Sequence, residues 1–176
     1  MKTIKLSFII FCLLLVSCGQ KTKYNPELIS SSIDVTNTER GFDVEYKETI
    51  SGLKTIHVKF NDAVGFDALF DTGCSGLVIS QWEFADLLKA GTISLDDYQG
   101  TSDAAIADGS TVTNDCYNIR EVSIMDTKGQ PHVVYNVTAV VMENPMADVL
   151  IGASIIDQLA NSSYTVDLDK NIIRFQ

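Results

Sequence analysis

The stretch Phe66-Asp67-Ala68-Leu69-Phe70-Asp71-Thr72-Gly73-Cys74-Ser75-Gly76-Leu77-Val78-Ile79 decides the reading of this chain. An apolar run delivers a carboxylate, a hydroxyl and a glycine, and a second apolar run leaves. Gly73 tolerates backbone conformations that a side chain would disfavour, so the loop can turn tightly. Thr72 can hydrogen-bond across such a loop, and neighbouring backbone N–H groups can hold the Asp71 carboxylate. Asp, Thr and Gly are also ordinary turn residues. What sets this turn apart is the apolar sequence pressed against it on both sides.

Working outward, strands dominate. Phe42, Val44 and Tyr46 alternate with polar residues, as do Ile56, Val58 and Phe60, which is the period of a half-buried strand. Asn61-Asp62 turns the chain into a strand from Val64 to Phe70, and Leu77 to Ile79 forms another. From Gln81 to Ala90, Trp82, Leu87 and Leu88 fall on helical turns, with Ser80 as N-cap and Gly91 as the stop. Ser110 to Tyr117, Arg120 to Met125 and His132 to Met142 read as strands, the last two joined at Lys128-Gly129. Val149 to Ile151 is a buried strand ending at Gly152, and Ala153 to Leu159 a short helix. Tyr164 to Leu168 and Ile172 to Phe175 make a hairpin about Asp169-Lys170. Many short strands with two short helices predict an all-β, barrel-like domain, and the absence of βαβ alternation argues against a doubly wound sheet.

The 176 residues are 45% hydrophobic, which suits one domain with a true core. A formal charge of −10, with no cluster of Lys or Arg to offset it, argues against nucleic acid as a partner. Lys2 and Lys5 precede an apolar run from Leu6 to Val16, the anatomy of a secretory signal, and the run is shorter than the roughly 20 residues of a comfortable membrane span. Leu15-Val16-Ser17-Cys18, followed by Gly19, resembles the bacterial lipobox. That resemblance implies a signal peptide over residues 1–17, acylation of Cys18, and a polar lipidated tether over 18–41 leading to a domain over 42–176. It also implies a lipid-anchored protein of the bacterial cell envelope, sorted to the outer membrane and facing the periplasm. Cys74 and Cys116 would remain; whether they pair depends on a Cα separation that sequence does not carry.

Asp71-Thr72-Gly73, followed by small Cys74, by Ser75 and by apolar residues, resembles the signature of the retropepsin-like aspartic proteases. Three further segments agree in order. Residues 81–100 are followed by Ala107-Asp108-Gly109-Ser110, where the family carries its flap tip. Val149-Leu150-Ile151-Gly152, running into Ala153-Ser154-Ile155-Ile156, resembles the family's apolar-apolar-Gly element and the helix after it. The hairpin from Tyr164 to Phe175 closes the match, which covers about residues 50–176.

The resemblance implies a closed retropepsin-like acid protease barrel and an aspartic endopeptidase acting on peptide or protein substrates. Asp71 would be the catalytic carboxylate, Thr72 and Gly73 its loop, and Ala107, Asp108, Gly109 and Ser110 the flap over an extended substrate, with no metal or organic cofactor. Family chemistry needs two carboxylates that share one proton across a water. The chain has no second Asp-Thr-Gly or Asp-Ser-Gly: Asp126-Thr127 runs into Lys128, and Asp108 directly into Gly109. One chain thus holds half a site, and the resemblance implies a homodimer with both Asp71 side chains at a twofold axis. The competing readings are a non-catalytic peptide-binding envelope lipoprotein of the same fold and a purely structural envelope protein. His57 and His132 read as solvated or satisfied structural histidines, and with Cys74 and Cys116 they lack the close ligand pair of a zinc site.

Overall fold

The structure is a computed structural model that describes residues 41–105 and 111–176. The expected signal peptide, Cys18 and all but the last residue of the tether lie outside the described residues, as do the flap-tip residues Ala107, Asp108, Gly109 and Ser110. In chain order the elements are β1 (Phe42–Glu45), β2 (Lys47–Glu48), β3 (Lys54–Phe60), β4 (Val64–Phe70), β5 (Leu77–Ser80), α1 (Gln81–Lys89), a 3-10 turn (Leu95–Asp97), β6 (Tyr98–Ala105), β7 (Thr111–Met125), β8 (Pro131–Met142), β9 (Leu150–Ile151), α2 (Ala153–Leu159), β10 (Tyr164–Asp167) and β11 (Ile172–Phe175).

Side-chain alternation builds these strands. In β3, Ile56, Val58 and Phe60 are buried while His57 and Lys59 face water. Asn61 and Asp62 adopt left-handed backbone, φ 51° and 53°, which short polar side chains tolerate and a tight hairpin requires. That turn sets the antiparallel register Phe60↔Val64 through Thr55↔Leu69. Ser80 caps α1 in a reciprocal capping box: its hydroxyl oxygen accepts from Trp82 N, and the Glu83 carboxylate accepts from Ser80 N. Gly91, at φ 67°, follows the helix end.

Eight strands form one sheet in the order β2-β3-β4-β9-β5-β8-β7-β6, and β3 also pairs with β7. The extra pairing curls the sheet into a ring of β3, β4, β9, β5, β8 and β7 around a core that includes Phe60, Ile56, Leu77, Ile79, Ile119, Ile124 and Ile151. An all-β domain with two short helices is therefore borne out. Closure is partial, however. β3 and β7 meet only at Val58↔Ile124, Lys59↔Ser123 and Phe60↔Val122, and β10, β11 and β1 form a separate three-stranded sheet with β11 at its centre.

Two strands depart from expectation. β7 is one 15-residue strand rather than two, because β8 pairs along most of its length while its other edge changes partner. Its first half pairs with β6 and its second with β3. β6 itself has no apolar alternation; its register against β7, bulged between Tyr98 and Gly100, makes it a strand. The β6–β7 hairpin consequently runs out beyond the ring, to the pair Ala105↔Thr111.

Candidate active site

β4 and β5 are joined by the loop 71–76 but do not pair with each other. β9 lies between them, parallel to β4 (Leu69↔Leu150, Phe70↔Ile151) and antiparallel to β5 (Leu77↔Ile151, Val78↔Leu150). The loop therefore crosses over the end of β9, and its first residue is tied down there: Asp71 N donates to Ile151 O at 3.0 Å. Cys74 N then donates to Asp71 O at 3.2 Å, closing a tight turn, and Gly73 N donates to the Asp71 carboxylate Oδ1 at 2.9 Å. The sequence-expected trio is thus brought together in one turn, with Asp71 half-buried and Thr72 and Gly73 exposed.

The seat of the loop is the start of α2. Gly152 occupies the N-cap position and offers no side-chain cap, so the first helical N–H groups look elsewhere for partners. Ala153 N donates to Cys74 O at 2.8 Å and Ser154 N to Ser75 O at 3.0 Å. Gly152 makes this approach possible. A Cβ there would lie 2.4 Å from Gly76 O, 2.6 Å from Cys74 O and 2.6 Å from Gly76 N, all backbone atoms. Beneath the loop, Phe70 meets Tyr164 and Phe175 edge-on at 5.3 and 6.3 Å, wedging the strand that carries Asp71 against the terminal sheet. Cys74 is buried, with its Sγ donating to Gly76 O at 3.4 Å.

Neither histidine belongs to this loop. His57 pairs with Asp67 on the exposed face of β3 and β4, Nδ1 to Oδ1 2.9 Å, and that hydrogen bond, more than burial opposes it, holds the Asp67 carboxyl below its usual range. His132 Nε2 lies 3.1 Å from Asp126 Oδ2, with its ring stacked on Phe42.

Asp126 was legible only as a near miss to the motif, and its role is structural. Its Oδ1 accepts from Lys128 N at 2.9 Å and from Gln130 N at 2.8 Å, shaping the turn between β7 and β8. Burial works against its charge, yet the Gln130 N–H, the His132 ring and the Lys128 N–H together keep its pKa below the usual carboxylate range. Asp43 of β1 is held low in the same way by a two-point pairing with Arg174, 2.7 and 2.9 Å. An alternation of buried and polar positions could not reveal either carboxylate's partners: Asp43 finds Arg174 across the β1–β11 pairing, and Asp126 finds its own in the turn it shapes.

The family described as aspartyl protease matches residues 56–155, a span that holds the Asp71 loop, the β6–β7 hairpin, Gly152 and the start of α2. Among solved structures, a retropepsin-like aspartic protease from Rickettsia conorii superposes with a TM-score of 0.53 at 15% identity, over 77% of this chain and 92% of that one. Basic 7S globulin from soybean gives a TM-score of 0.44 at 16% identity, covering 77% of this chain and 42% of that one. The retroviral protease-like domain of Ddi1 from Leishmania major gives 0.40 at 17%, over 68% and 84%. No curated protein matches the chain in sequence. The first of these structures carries the same all-β fold.

Proposed function

This chain belongs to the aspartyl protease family, and from that premise we propose that it is a homodimeric aspartic endopeptidase with Asp71 as its catalytic carboxylate. The observation that carries the reading is the Asp71 loop. It offers one half-buried carboxylate, oriented by Gly73 N–H and clamped onto the start of α2, with Thr72 and Gly73 exposed where a second copy can reach them.

In the proposed dimer two Asp71 side chains meet across a twofold axis and share one proton, since like charges so close cannot both ionise. The ionised carboxylate takes a proton from a water while its oxygen bonds to the peptide carbonyl carbon. The protonated partner donates to the carbonyl oxygen, giving a neutral gem-diol. Collapse of that intermediate breaks the C–N bond, with the proton passing to the leaving amine. Thr72 braces the opposite copy's loop, and residues Ala107, Asp108, Gly109 and Ser110 cover an extended peptide whose backbone pairs as an added strand. Acylation of Cys18 places the chain at the periplasmic face of the outer membrane, where confinement to a surface raises the effective concentration of one copy for another.

The test compares wild type with Asp71→Asn on a peptide library while sedimentation reports assembly. The expected result is cleavage that appears with dimer formation and is lost in Asp71→Asn, with the variant still dimeric. Undiminished cleavage by Asp71→Asn eliminates the mechanism. Peptide binding without hydrolysis by the wild-type dimer returns the chain to the role of a peptide-holding lipoprotein.

A further inference from the structure

Phe42, Phe175 and Tyr164 stand at one level across the terminal sheet, one ring on each strand, because Phe175 of the central β11 is directly opposite both of the others. Phe175 is fully buried and stacks on Phe42, with ring centroids 4.8 Å apart and planes 16° from parallel. Phe42 is stacked on His132 of β8 as well, 3.4 Å between centroids and 7° between planes. Phe175 in turn meets Phe70 edge-on at 6.3 Å, and Phe70 is the residue before Asp71. Two ring contacts and one peptide bond therefore join the first strand of the domain to the candidate carboxylate.

The entry of the chain is fastened to the same place. Gly41 has φ 81°, and a Cβ there would lie 2.6 Å from Phe175 O, so a glycine is what lets the chain come in over β11. β1 itself is slight: four residues at the edge of its sheet, paired with β11 and no other strand among the described residues. Beyond that pairing, Arg174 holds the Asp43 carboxylate and Thr127 N donates to Asp43 O at 2.8 Å. A short edge strand with few ties is the kind of element that opens locally while the rest of a domain stays folded. When it opens, Phe175 loses the ring on which it is stacked. A close-packed interior passes that displacement on to Phe70 rather than absorbing it.

We propose that Phe42 is a positioning residue for Asp71, acting through Phe175 and Phe70, so that docking of the N-terminal strand sets the state of the candidate site. That the positioned carboxylate is catalytic rests on the function proposed above; the coupling does not. The two states are β1 docked and β1 undocked, and only the docked one backs Phe70. Anything that draws the chain away at Gly41, whether a pull on the segment before it or a cut within β1, then switches the site off.

The Gly73 N–H is the reporter, since it donates to Asp71 Oδ1 at 2.9 Å. In the 15N-labelled full chain, Phe42→Ala is expected to move the Gly73 amide signal or split it in two. Phe42→Leu, which keeps much of the bulk without the ring face, should move it less. Phe42→Tyr retains the ring and should leave the signal at its wild-type position, as should Gly91→Ala, which destabilises the chain without touching the loop. In cleavage assays Phe42→Ala should lower kcat on the order of tenfold with KM unchanged, and Phe42→Tyr should restore it. If Phe42→Ala does not fold, Phe42→Leu alone decides. A Gly73 signal unmoved in the folded Phe42 variants overturns the coupling, as does equal movement in Phe42→Tyr or in Gly91→Ala. A signal that moves as expected in a protein whose wild type cleaves no peptide supports the coupling and sinks the hydrolase reading, so the two ideas fail separately.

Discussion

Replacing Gly152 with alanine isolates the contribution of the loop's seat. Backbone strain is not involved, because φ at Gly152 is −94°, a value any residue adopts. The cost is steric. The new Cβ would stand 2.4 Å from Gly76 O and 2.6 Å from both Cys74 O and Gly76 N, where real Cβ contacts essentially never fall under 3.0 Å. Either the loop or the end of β9 has to retreat by at least about 0.6 Å, the difference between 2.4 and 3.0 Å, and none of the three obstacles is a side chain that can swing aside. Overpacking of this kind costs about 1–3 kcal/mol. The two bonds from Ala153 N and Ser154 N into the loop are stretched with it, each a contribution of about 0.5–1.5 kcal/mol. The expected destabilisation is about 2–4 kcal/mol, which at a slope near 2 kcal/mol/M lowers the urea midpoint by about 1–2 M. Cleavage should fall on the order of 100-fold in protein that is still folded, since a displacement approaching 1 Å misplaces the reacting carboxylate. Gly91→Ala is the control: a Cβ there meets nothing within 4 Å, and its φ of 67° alone costs about 1–2 kcal/mol without touching the loop. If Gly152→Ala matches Gly91→Ala in both stability and activity, the clamp between α2 and the Asp71 loop is not what holds the site.

Three further outcomes follow from the polar groups. Ser80→Ala removes the acceptor for Trp82 N and the hydroxyl that meets Glu83 from a fully buried cap, and should lower stability by about 1–2 kcal/mol in thermal or urea unfolding. Asp126→Ala leaves the Lys128 and Gln130 N–H groups without their acceptor and should cost about 2–4 kcal/mol at neutral pH. The carboxyls of Asp126 and Asp43 both titrate below their unfolded value, so their contribution is complete above about pH 4 and disappears as the pH falls through the folded pKa. The urea midpoint of the wild type is expected to hold steady from pH 7 to 5 and drop below about pH 4, and the drop should be shallower in Asp126→Ala. A midpoint that rises on acidification contradicts the assigned pairings.

Much of this architecture could be read before any coordinates, and the exceptions have physical causes. β3 and α2 announce themselves because each buries a regular face, as in Ile56, Val58 and Phe60, whereas α1 is marked by its cap and its spacing and buries only Leu87, leaving Trp82 and Leu88 exposed. The Asp71 turn was legible because its residue types are demanded locally, by the turn and by the carboxylate that Gly73 N–H holds. β6 was not, because Tyr98-Gln99-Gly100-Thr101-Ser102 has no apolar alternation, its buried Ser102 being polar, and owes its strand geometry to β7. The break read between Tyr117 and Arg120 is absent because Ile119 stays buried and β8 pairs on past it. Gly152 was legible as part of an apolar-apolar-Gly element, but the reason for the glycine was not; that reason is a backbone crossing from a loop some 76 residues earlier, as seen from Gly76.

The terminal sheet places β11 between β1 and β10, so the strand that comes after every other in chain order supplies the centre rather than an edge. Pairing Phe42 with Phe175 joins positions 133 residues apart, and such long-range closure is slow because the loop entropy is lost before any contact rewards it. A nascent chain lacking residues 172–175 would carry two orphan strands at once, each an open template for sticking to a neighbour. The three-stranded sheet therefore completes itself late, and losing residues 172–175 would release β1 and β10 in a single stroke.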